Sequence, residues 1–339
     1  MKVLLAMSGG IDSSLACKFL LDQGYEVEGA YMILHGRKDY HEENIKNVEK
    51  VAEFFGIKYH VFDLQNDFKS LVYDDFINSY KLGLTPNPCA VCNKFIKFGK
   101  FYEFAKSKGF EKIATGHYAR IENNLIKSAA DELKDQSYFL GGIEKSIIPH
   151  IIFPLGDKIK SDLKSYAAQI KPIANLATQK ESTEICFVEN TYLEVLNKHF
   201  DTHQKGQVIN TDGEVVGSHD GYMNFTIGKR KGFTYDGAHE PHYVLSINPK
   251  ENQIIVGLKD ELKNFEFKTK NLNNFTNLNE FNCLVKVRYR SKGLPCEARI
   301  NSNGGLDVKL KEPAFGIASG QLAVFYDEEK RVLASGFIV

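Results

Sequence analysis

The sequence predicts an α/β protein whose first domain is built on a parallel sheet and is followed by a small β-rich central domain and a C-terminal β-barrel. Strand and helix patterns alternate up to Thr115, with short connections between them. From about Asn197, short strand patterns punctuated by Gly, Asn and Asp replace them. The 339 residues are enough for about two or three domains. We place these domains at residues 1–197, 198–262 and 263–339.

The first domain begins with a buried apolar strand, and Gly24 and Gly56 stand where its first two helices should end. The predicted strands are Lys2–Met7, Glu26–Ile33, Lys58–Asp63 and Ile113–Thr115, and the predicted helices are Ile11–Gln23, His41–Phe55 and Asn93–Lys108. Strand–helix–strand repetition of this kind favours a parallel sheet with helices on both faces.

Strands of the β-rich part are predicted from short apolar runs. In the central domain they are Glu214–Val216, Tyr243–Ile247 and Gln253–Val256. The polar stretch Asn271–Asn279 is interpreted as a turn-rich connection. Five later runs are spaced like strands of a compact barrel: Cys283–Tyr289, Cys296–Ile300, Leu306–Leu310, Leu322–Phe325 and Val332–Phe337.

Composition excludes several classes of protein. The 43 Lys and Arg balance 43 Asp and Glu, which argues against a broadly basic surface but leaves local basic patches open. No stretch reaches the roughly 20 apolar residues that cross a bilayer, and the N-terminal apolar run is too short for a signal peptide, so we expect a cytoplasmic protein without a membrane partner. The six cysteines are too sparse for a disulfide scaffold.

The segment from Ser8 to Ser14, with sequence SGGIDSS, lies between the first strand and the first helix. Its glycines allow close approach of the backbone to a phosphate, its hydroxyls add donors, and the helix N-terminus favours an anion. It matches neither the Walker pattern nor G-x-G-x-x-G, and a Ser/Gly-rich helix cap is the alternative. SGGIDSS resembles the pyrophosphate loop of the ATP pyrophosphatases.

Cys89 and Cys92 lie where a rigid Pro-rich loop opens a helix, with Lys94 and Lys97 nearby. A thiol at such a helix start should have its pKa depressed below about 8.5. The Cys-x-x-Cys pair is alternatively half of a zinc site, although no second pair completes it, or a thioredoxin-like dithiol. Cys186, flanked by Ile and Phe, is by itself either a buried hydrophobe or a nucleophile.

Nine motifs together resemble, in order and spacing, the bacterial tRNA-specific 2-thiouridylases, a family with an ATP-pyrophosphatase (adenine nucleotide hydrolase-like) domain. The resemblance covers nearly the whole chain. The motifs are SGGIDSS, TPNPCAVCNKFIKF, ATGHYAR, KDQSYFL, FPLG, KESTEICF, FTIGKRKGF, EPHYVL and VRYRSKGLPC. The resemblance implies ATP-dependent replacement of the C2 oxygen of the tRNA wobble uridine, at position 34, by sulfur.

The resemblance also implies roles for individual residues. Cys92 matches the nucleophile and Cys186 the persulfide carrier, and the two are expected to form a disulfide as sulfur is released. The residues implied to contact ATP are Ala6, Met7, Ser8, Gly9, Gly10, Ile11, Asp12, Ser13, Met32 and Gly116. Those implied to contact tRNA are Asn87, Pro88, Cys89, His117, Lys134, Asp135, Gln136, Arg288, Tyr289 and Gln321. Some members of the family carry Asp at the position of Cys89.

The implied partners are ATP with Mg²⁺, tRNAs for Lys, Glu and Gln, and a cysteine desulfurase or sulfur carrier protein as the sulfur donor. Asp12 is expected to orient pyrophosphate through magnesium or water. Lys229–Lys231 and the alternating cations Lys286, Arg288 and Arg290, placed on one face of a strand, are candidate phosphate contacts, with a solvated strand face as the alternative.

Three other functions compete with this one. An amide-forming ATP pyrophosphatase would share the first loop but need no cysteine pair. A non-catalytic RNA-binding module would explain the β-rich tail but not the loop. An iron–sulfur thiolase would need at least three well-placed cysteines, and only Cys89 and Cys92 are paired in the sequence.

Overall fold

The computed structural model describes residues 1–177, 185–237 and 239–339. Lys180–Glu184 of the predicted persulfide motif therefore lie outside the described residues. The described chain forms two compact units. The first takes its residues from Met1–Val72, Cys89–Thr183 and Glu328–Leu333, and the second from Tyr73–Pro88, Glu184–Asp327 and Ala334–Val339.

A five-stranded parallel sheet forms the centre of the first unit, with order β3-β2-β1-β4-β7, which confirms the predicted α/β architecture. Its strands are β1 (Lys2–Ala6), β2 (Glu26–Ile33), β3 (Tyr59–Asp63), β4 (Lys112–Thr115) and β7 (Ile151–Ile152). Val3, Leu4 and Leu5 of β1 are fully buried because the strand lies in the middle of the sheet with both faces covered.

Helices flank this sheet and supply the rest of its core. They are α1 (Ile11–Asp22), α2 (Lys38–Phe55), α3 (Gln65–Phe68), α6 (Phe101–Ser107), α7 (Ser137–Leu140), α8 (Lys160–Ala167) and α9 (Lys171–Ala177). Gly56 ends α2 in a left-handed conformation with φ of 66°, as predicted for that position. None of the described helices is long and apolar enough to cross a bilayer.

The helix predicted at Asn93–Lys108 starts earlier and is not uniform. Helix α5 (Pro88–Cys92) opens it, a π-helical segment Asn93–Lys100 follows, and α6 completes it. Pro88 suits the first helical position because that residue's missing N–H would have no partner there.

The second unit contains the two β-rich parts, together with α4 (Asp74–Lys81) and α10 (Tyr192–Leu196). A four-stranded sheet has order β10-β11-β8-β9, and six further strands close into a barrel of order β12-β15-β14-β13-β16-β17. The sheet strands are β8 (Lys205–Ile209), β9 (Val215–Asp220), β10 (Tyr243–Asn248) and β11 (Gln253–Gly257). The barrel strands are β12 (Lys263–Asn274), β13 (Glu280–Lys286), β14 (Leu294–Ile300), β15 (Leu306–Phe315), β16 (Leu322–Tyr326) and β17 (Val332–Ile338).

Two predictions for the barrel are wrong. Residues Asn271–Asn274 were expected in a turn-rich connection but belong to strand β12. The strand predicted to run to Tyr289 ends at Lys286, and Arg288 and Arg290 lie in the turn after it. The three cations therefore do not share one strand face, because the alternation that placed them there stops at Lys286.

Candidate active site

The loop between β1 and α1 is shaped by a close approach to helix α2. Gly9 has φ of 78°, and a Cβ on it would lie 2.7 Å from the carbonyl oxygen of Asn44. The Ser8 amide donates to the Ser13 hydroxyl oxygen at 3.2 Å, and the Ser13 and Ser14 hydroxyls donate to the Gly10 carbonyl oxygen. The loop is thus held by its own hydroxyls, while Ser8 stays exposed.

Asp12 in the first turn of α1 has two partners that the sequence analysis missed. The Lys160 ammonium pairs with its Oδ1, and the Tyr118 hydroxyl donates to the same oxygen at 2.7 Å. Lys160 is only 5% exposed, although lysine is rarely buried unless it is paired. Asp131 accepts a hydrogen bond from the Lys160 backbone amide at 2.9 Å, which fixes the first residue of α8.

The structure brings Gly116 close to the loop between β1 and α1. A Cβ at Gly116 would lie 3.1 Å from the Ser13 amide nitrogen, so a larger residue would press on the start of α1. Ala6 is the register partner of both Ala30 and Thr115, and Met32 lies two residues beyond Ala30 on β2. The residues predicted to contact ATP therefore follow the carboxyl edge of adjacent parallel strands, where open α/β sheets bind ligands.

A histidine cluster follows β2 at this edge. The Tyr31 hydroxyl and His41 Nδ1 are 2.7 Å apart, and His41 Nε2 lies 2.8 Å from the His35 carbonyl oxygen. The His35 and His41 ring centroids are 4.4 Å apart. Burial, with the neighbouring charges of His41 and Arg37, lowers the pKa of His35 to about 4.

The two thiols of α5 have different environments. Cys92 is 7% exposed, whereas Cys89 in the preceding turn is exposed. The expectation of a depressed pKa is wrong for Cys89. Desolvation by the surrounding protein raises the pKa of its thiol, and the opposing charge of Lys97 is the smaller effect. Asn93 directly after Cys92 is buried, and its Nδ2 donates to the Phe139 carbonyl oxygen at 3.1 Å.

Cys186 is exposed rather than a buried hydrophobe. It lies in a turn in which the Val188 amide donates to the Ile185 carbonyl oxygen at 2.9 Å. The next side chain, Phe187, packs edge-on against Phe76 with ring centroids 5.2 Å apart. Because the neighbouring Phe187 ring is packed against Phe76, the Cys186 thiol stays at the surface of its unit.

Several residues predicted to contact tRNA have partners within the protein. His117 is 9% exposed, lies 2.7 Å from the Thr115 hydroxyl through Nδ1, and has a pKa well below its usual range because it is buried. Asp135 is buried and accepts from the Ala129 amide at 3.0 Å, and Gln136 Oε1 accepts from the Tyr118 amide at 2.9 Å. Lys134 is half-buried beside them.

In the second unit, the Gln321 side chain holds the chain just before Asn87. Its Nε2 donates to the carbonyl oxygens of Thr85 and Pro86 at 3.0 and 3.1 Å. Asn87 itself is 7% exposed, and Pro88 is buried. Gln321 therefore sets the path of the segment that leads to Asn87, Pro88 and Cys89, which were predicted to contact tRNA.

Arg288 and Tyr289 are half-buried in the turn after β13. Arg288 Nη2 donates to the carbonyl oxygens of Ile227 and Gly316, at 2.9 and 2.7 Å. These bonds fix the guanidinium in place.

The zinc alternative gains no support. Within residues 1–177, 185–237 and 239–339, no group of three or more His, Cys, Asp and Glu side chains is arranged to hold a metal ion. Among the described residues, Cys89 and Cys92 thus lack the further ligands that a four-coordinate zinc site needs.

Comparison with known proteins agrees with the fold. Residues 1–190 match a family described as the tRNA methyl transferase HUP domain, residues 193–258 its PRC-barrel domain, and residues 240–338 an aminomethyltransferase β-barrel domain. The chain is 62% identical over 338 residues to a tRNA-specific 2-thiouridylase MnmA of Campylobacter fetus, with all of both chains covered. It is 59% identical to one of Campylobacter jejuni, again over the full length of both. The chain belongs to the tRNA-specific 2-thiouridylase family.

Proposed function

We propose that this enzyme performs ATP-dependent 2-thiolation of the wobble uridine, position 34, of tRNA, in the cytoplasm. The observation that carries the proposal is the Ser8–Ser14 loop, whose Asp12 pairs with the buried Lys160, in a chain that also holds Cys92 near a helix N-terminus. The full-length relatives, named as tRNA-specific 2-thiouridylases, support the same reaction.

The first half of the reaction activates a poor leaving group. The uridine C2 oxygen attacks the α-phosphorus of ATP, pyrophosphate leaves, and C2 then carries AMP as its leaving group. The proposed ATP-contacting residues run from Ala6 to Ser13 and include Met32 and Gly116. Backbone N–H groups at the start of α1 favour the phosphates, and Lys160 offsets the charge of Asp12 beside them.

Magnesium is part of this proposal. Asp12 is a carboxylate in the first turn of α1, and Mg²⁺ typically uses one or two carboxylates together with substrate phosphates. Asp12 suits this role because its side chain is 36% exposed despite its pairing with Lys160. The ion would supply charge neutralisation for the departing pyrophosphate.

The second half transfers sulfur. A persulfide on Cys186 attacks C2 and AMP leaves, so that the base is joined to Cys186 through two sulfurs. The Cys92 thiolate then attacks Cys186 Sγ, the electron pair of the S–S bond goes to the base as its C2 sulfur, and a Cys92–Cys186 disulfide remains. Sulfide released from the persulfide is the alternative nucleophile. The persulfide comes from a cysteine desulfurase or a carrier protein.

tRNAs for Lys, Glu and Gln are the proposed substrates, and the proposed base-facing residues are Asn87, Pro88 and Cys89. The proposed contacts further along the RNA are His117, Lys134, Asp135, Gln136, Arg288, Tyr289 and Gln321. The buried ones among them, His117 and Asp135, would act by shaping the surface, since their side chains are occupied within the protein.

Mass spectrometry of tRNA nucleosides tests the function after incubation with ATP, Mg²⁺ and a persulfide donor, namely a cysteine desulfurase supplied with cysteine. We expect 2-thiouridine together with AMP and pyrophosphate, and no product from the Cys92→Ser and Cys186→Ser variants, both of which should still bind tRNA. Cys283→Ala in the barrel is the matched control and should retain turnover. Full turnover by Cys92→Ser, or amide formation from ammonia without the cysteines, would refute the proposal. The spectra also distinguish thiolation of the base from methylation, because the matching family is described as a tRNA methyl transferase domain.

A further inference from the structure

A cavity lies in the second unit, and no cysteine is among its described lining residues. It has a volume of about 230 Å³. Its side chains include two aromatic rings, Tyr243 and Phe315, and two cations, Lys259 and Arg288, and no carboxylate is among its described lining residues. This volume is below the roughly 300–1,000 Å³ of sites that enclose drug-sized ligands, so the cavity suits a smaller group, about the size of one base or one phosphate.

Arg288 is fixed at this cavity by the backbone. Its Nη2 bonds to the Ile227 and Gly316 carbonyl oxygens leave the positive charge of the guanidinium in place beside the opening. Gly316 has φ of 67°, a conformation that favours glycine, and a Cβ there would lie 3.6 Å from Arg288 Nη2. Because two carbonyl oxygens already orient the Arg288 side chain, it loses little conformational entropy when it binds an anion.

Phe315 presents an aromatic surface at the same opening. It ends strand β15 and is 47% exposed, so its ring is accessible rather than packed in the barrel interior. The Lys259 ammonium lies 5.8 Å from the centroid of its ring. An exposed ring beside a cation matches the two parts of a nucleotide, since a base stacks on an aromatic face and a phosphate pairs with an ammonium.

We propose that this cavity binds a nucleotide of the tRNA other than the target uridine, with its base stacked on Phe315 and its phosphate near Lys259 and Arg288. The inference rests on the proposed function, because it takes tRNA as the occupant. The absence of carboxylates among the described lining residues favours a polyanion over a cationic or neutral protein segment. Stacking and phosphate pairing do not depend on the identity of the base, so the site should accept any of the four nucleotides.

Filter binding of unmodified tRNA at several salt concentrations tests the site. Phe315→Ala should weaken affinity about fivefold or more, with the salt dependence unchanged because no charge is removed. Phe315→Trp should retain affinity, whereas Phe315→Leu, which keeps apolar bulk but no π face, should not. Lys259→Ala should weaken binding and reduce the slope of affinity against salt by about one unit. Phe54→Ala removes an equally exposed ring from α2 of the other unit and should bind like the parent.

Thermal unfolding of each variant checks that the fold is kept. Parent-like affinity in Phe315→Ala, or full recovery in Phe315→Leu, would overturn the stacking site while leaving the proposed function intact. If the parent protein binds no tRNA at all, the proposed function itself fails, so the two failures are distinguishable.

Discussion

The Lys160 ammonium is paired with the Asp12 carboxylate at the start of helix α1, and the Tyr118 hydroxyl donates to the same oxygen. An unpaired carboxylate there would repel a triphosphate. We therefore expect Lys160→Gln to lower the rate of pyrophosphate release from ATP about 10²-fold, the size typical for losing one preorganised charge at a reacting group. Quench-flow measurement of pyrophosphate with tRNA present gives this rate.

Lys158→Gln is the matched control for this change. Lys158 is exposed two residues earlier and contacts the Phe19 ring, so its removal should leave the rate unchanged. Equal rates in Lys160→Gln and Lys158→Gln would show that the Lys160–Asp12 pair has no part in nucleotide activation.

The hydrogen bonds of Gln321 predict that its loss weakens the binding of tRNA but not that of ATP. Gln321→Ala removes two hydrogen bonds to the backbone of Thr85 and Pro86, each worth about 1 kcal/mol net. Because these bonds position the segment before Asn87, we expect tRNA affinity to fall about tenfold with ATP affinity unchanged. Isothermal titration with each ligand measures both. Gln253→Ala, which removes a side-chain amide bond on strand β11, is the control, and an equal loss of affinity there would argue against a positioning role.

Sequence alone predicted the parts of the fold that have strong patterns. The first three strands and the first two helices lie close to their predicted bounds. The central strand β1 is a continuous buried apolar run, and glycines follow the ends of both helices. Strand β12 was missed because, of its twelve residues, only Phe267 and Thr269 are buried, so it has little apolar signal.

A hairpin in the first unit was missed for a different reason. Strands β5 (Ala119–Glu122) and β6 (Leu125–Ser128) are joined by Asn123 and Asn124, both with positive φ. Asparagine tolerates this conformation, but four-residue strands are too short for a periodicity to show. Lys160 was missed because a long-range ion pair across 148 positions leaves no local pattern.

The histidine cluster predicts sensitivity to acid. The pKa of His35 is about 4 in the folded protein and about 6.5 when exposed in the unfolded chain, so the unfolded state binds the proton more readily between these values. Stability should therefore be complete above pH 6.5 and fall as the pH drops toward 4, by at most about 3 kcal/mol from this group.

Thermal midpoints measured from pH 7.5 to 4 test this. His35→Phe keeps an aromatic ring beside His41 without a titrating group, and we expect it to flatten the decline. His203→Gln, at an exposed histidine of the second unit, should follow the parent curve. A parent-like decline in His35→Phe would assign the acid sensitivity to other groups.

Cys283 and Cys296 form a pair that the sequence did not reveal. They are register partners on strands β13 and β14, and their sulfurs are 3.6 Å apart, against about 2.0 Å in a disulfide. Hydrogen peroxide should oxidise them: two thiols lose two protons and two electrons, and the peroxide is reduced to two waters. The hydrogen bond with Cys283, followed by burial, holds the pKa of Cys296 far above its ordinary value. Its thiolate is therefore scarce near pH 7, and oxidation should accelerate as the pH rises toward 9.

In a Cys92→Ser, Cys186→Ser background, we expect peptide mapping to find a 283–296 disulfide and thiol titration to find two fewer thiols. Adding Cys283→Ser should abolish both signals, and their persistence would place the oxidised thiols elsewhere.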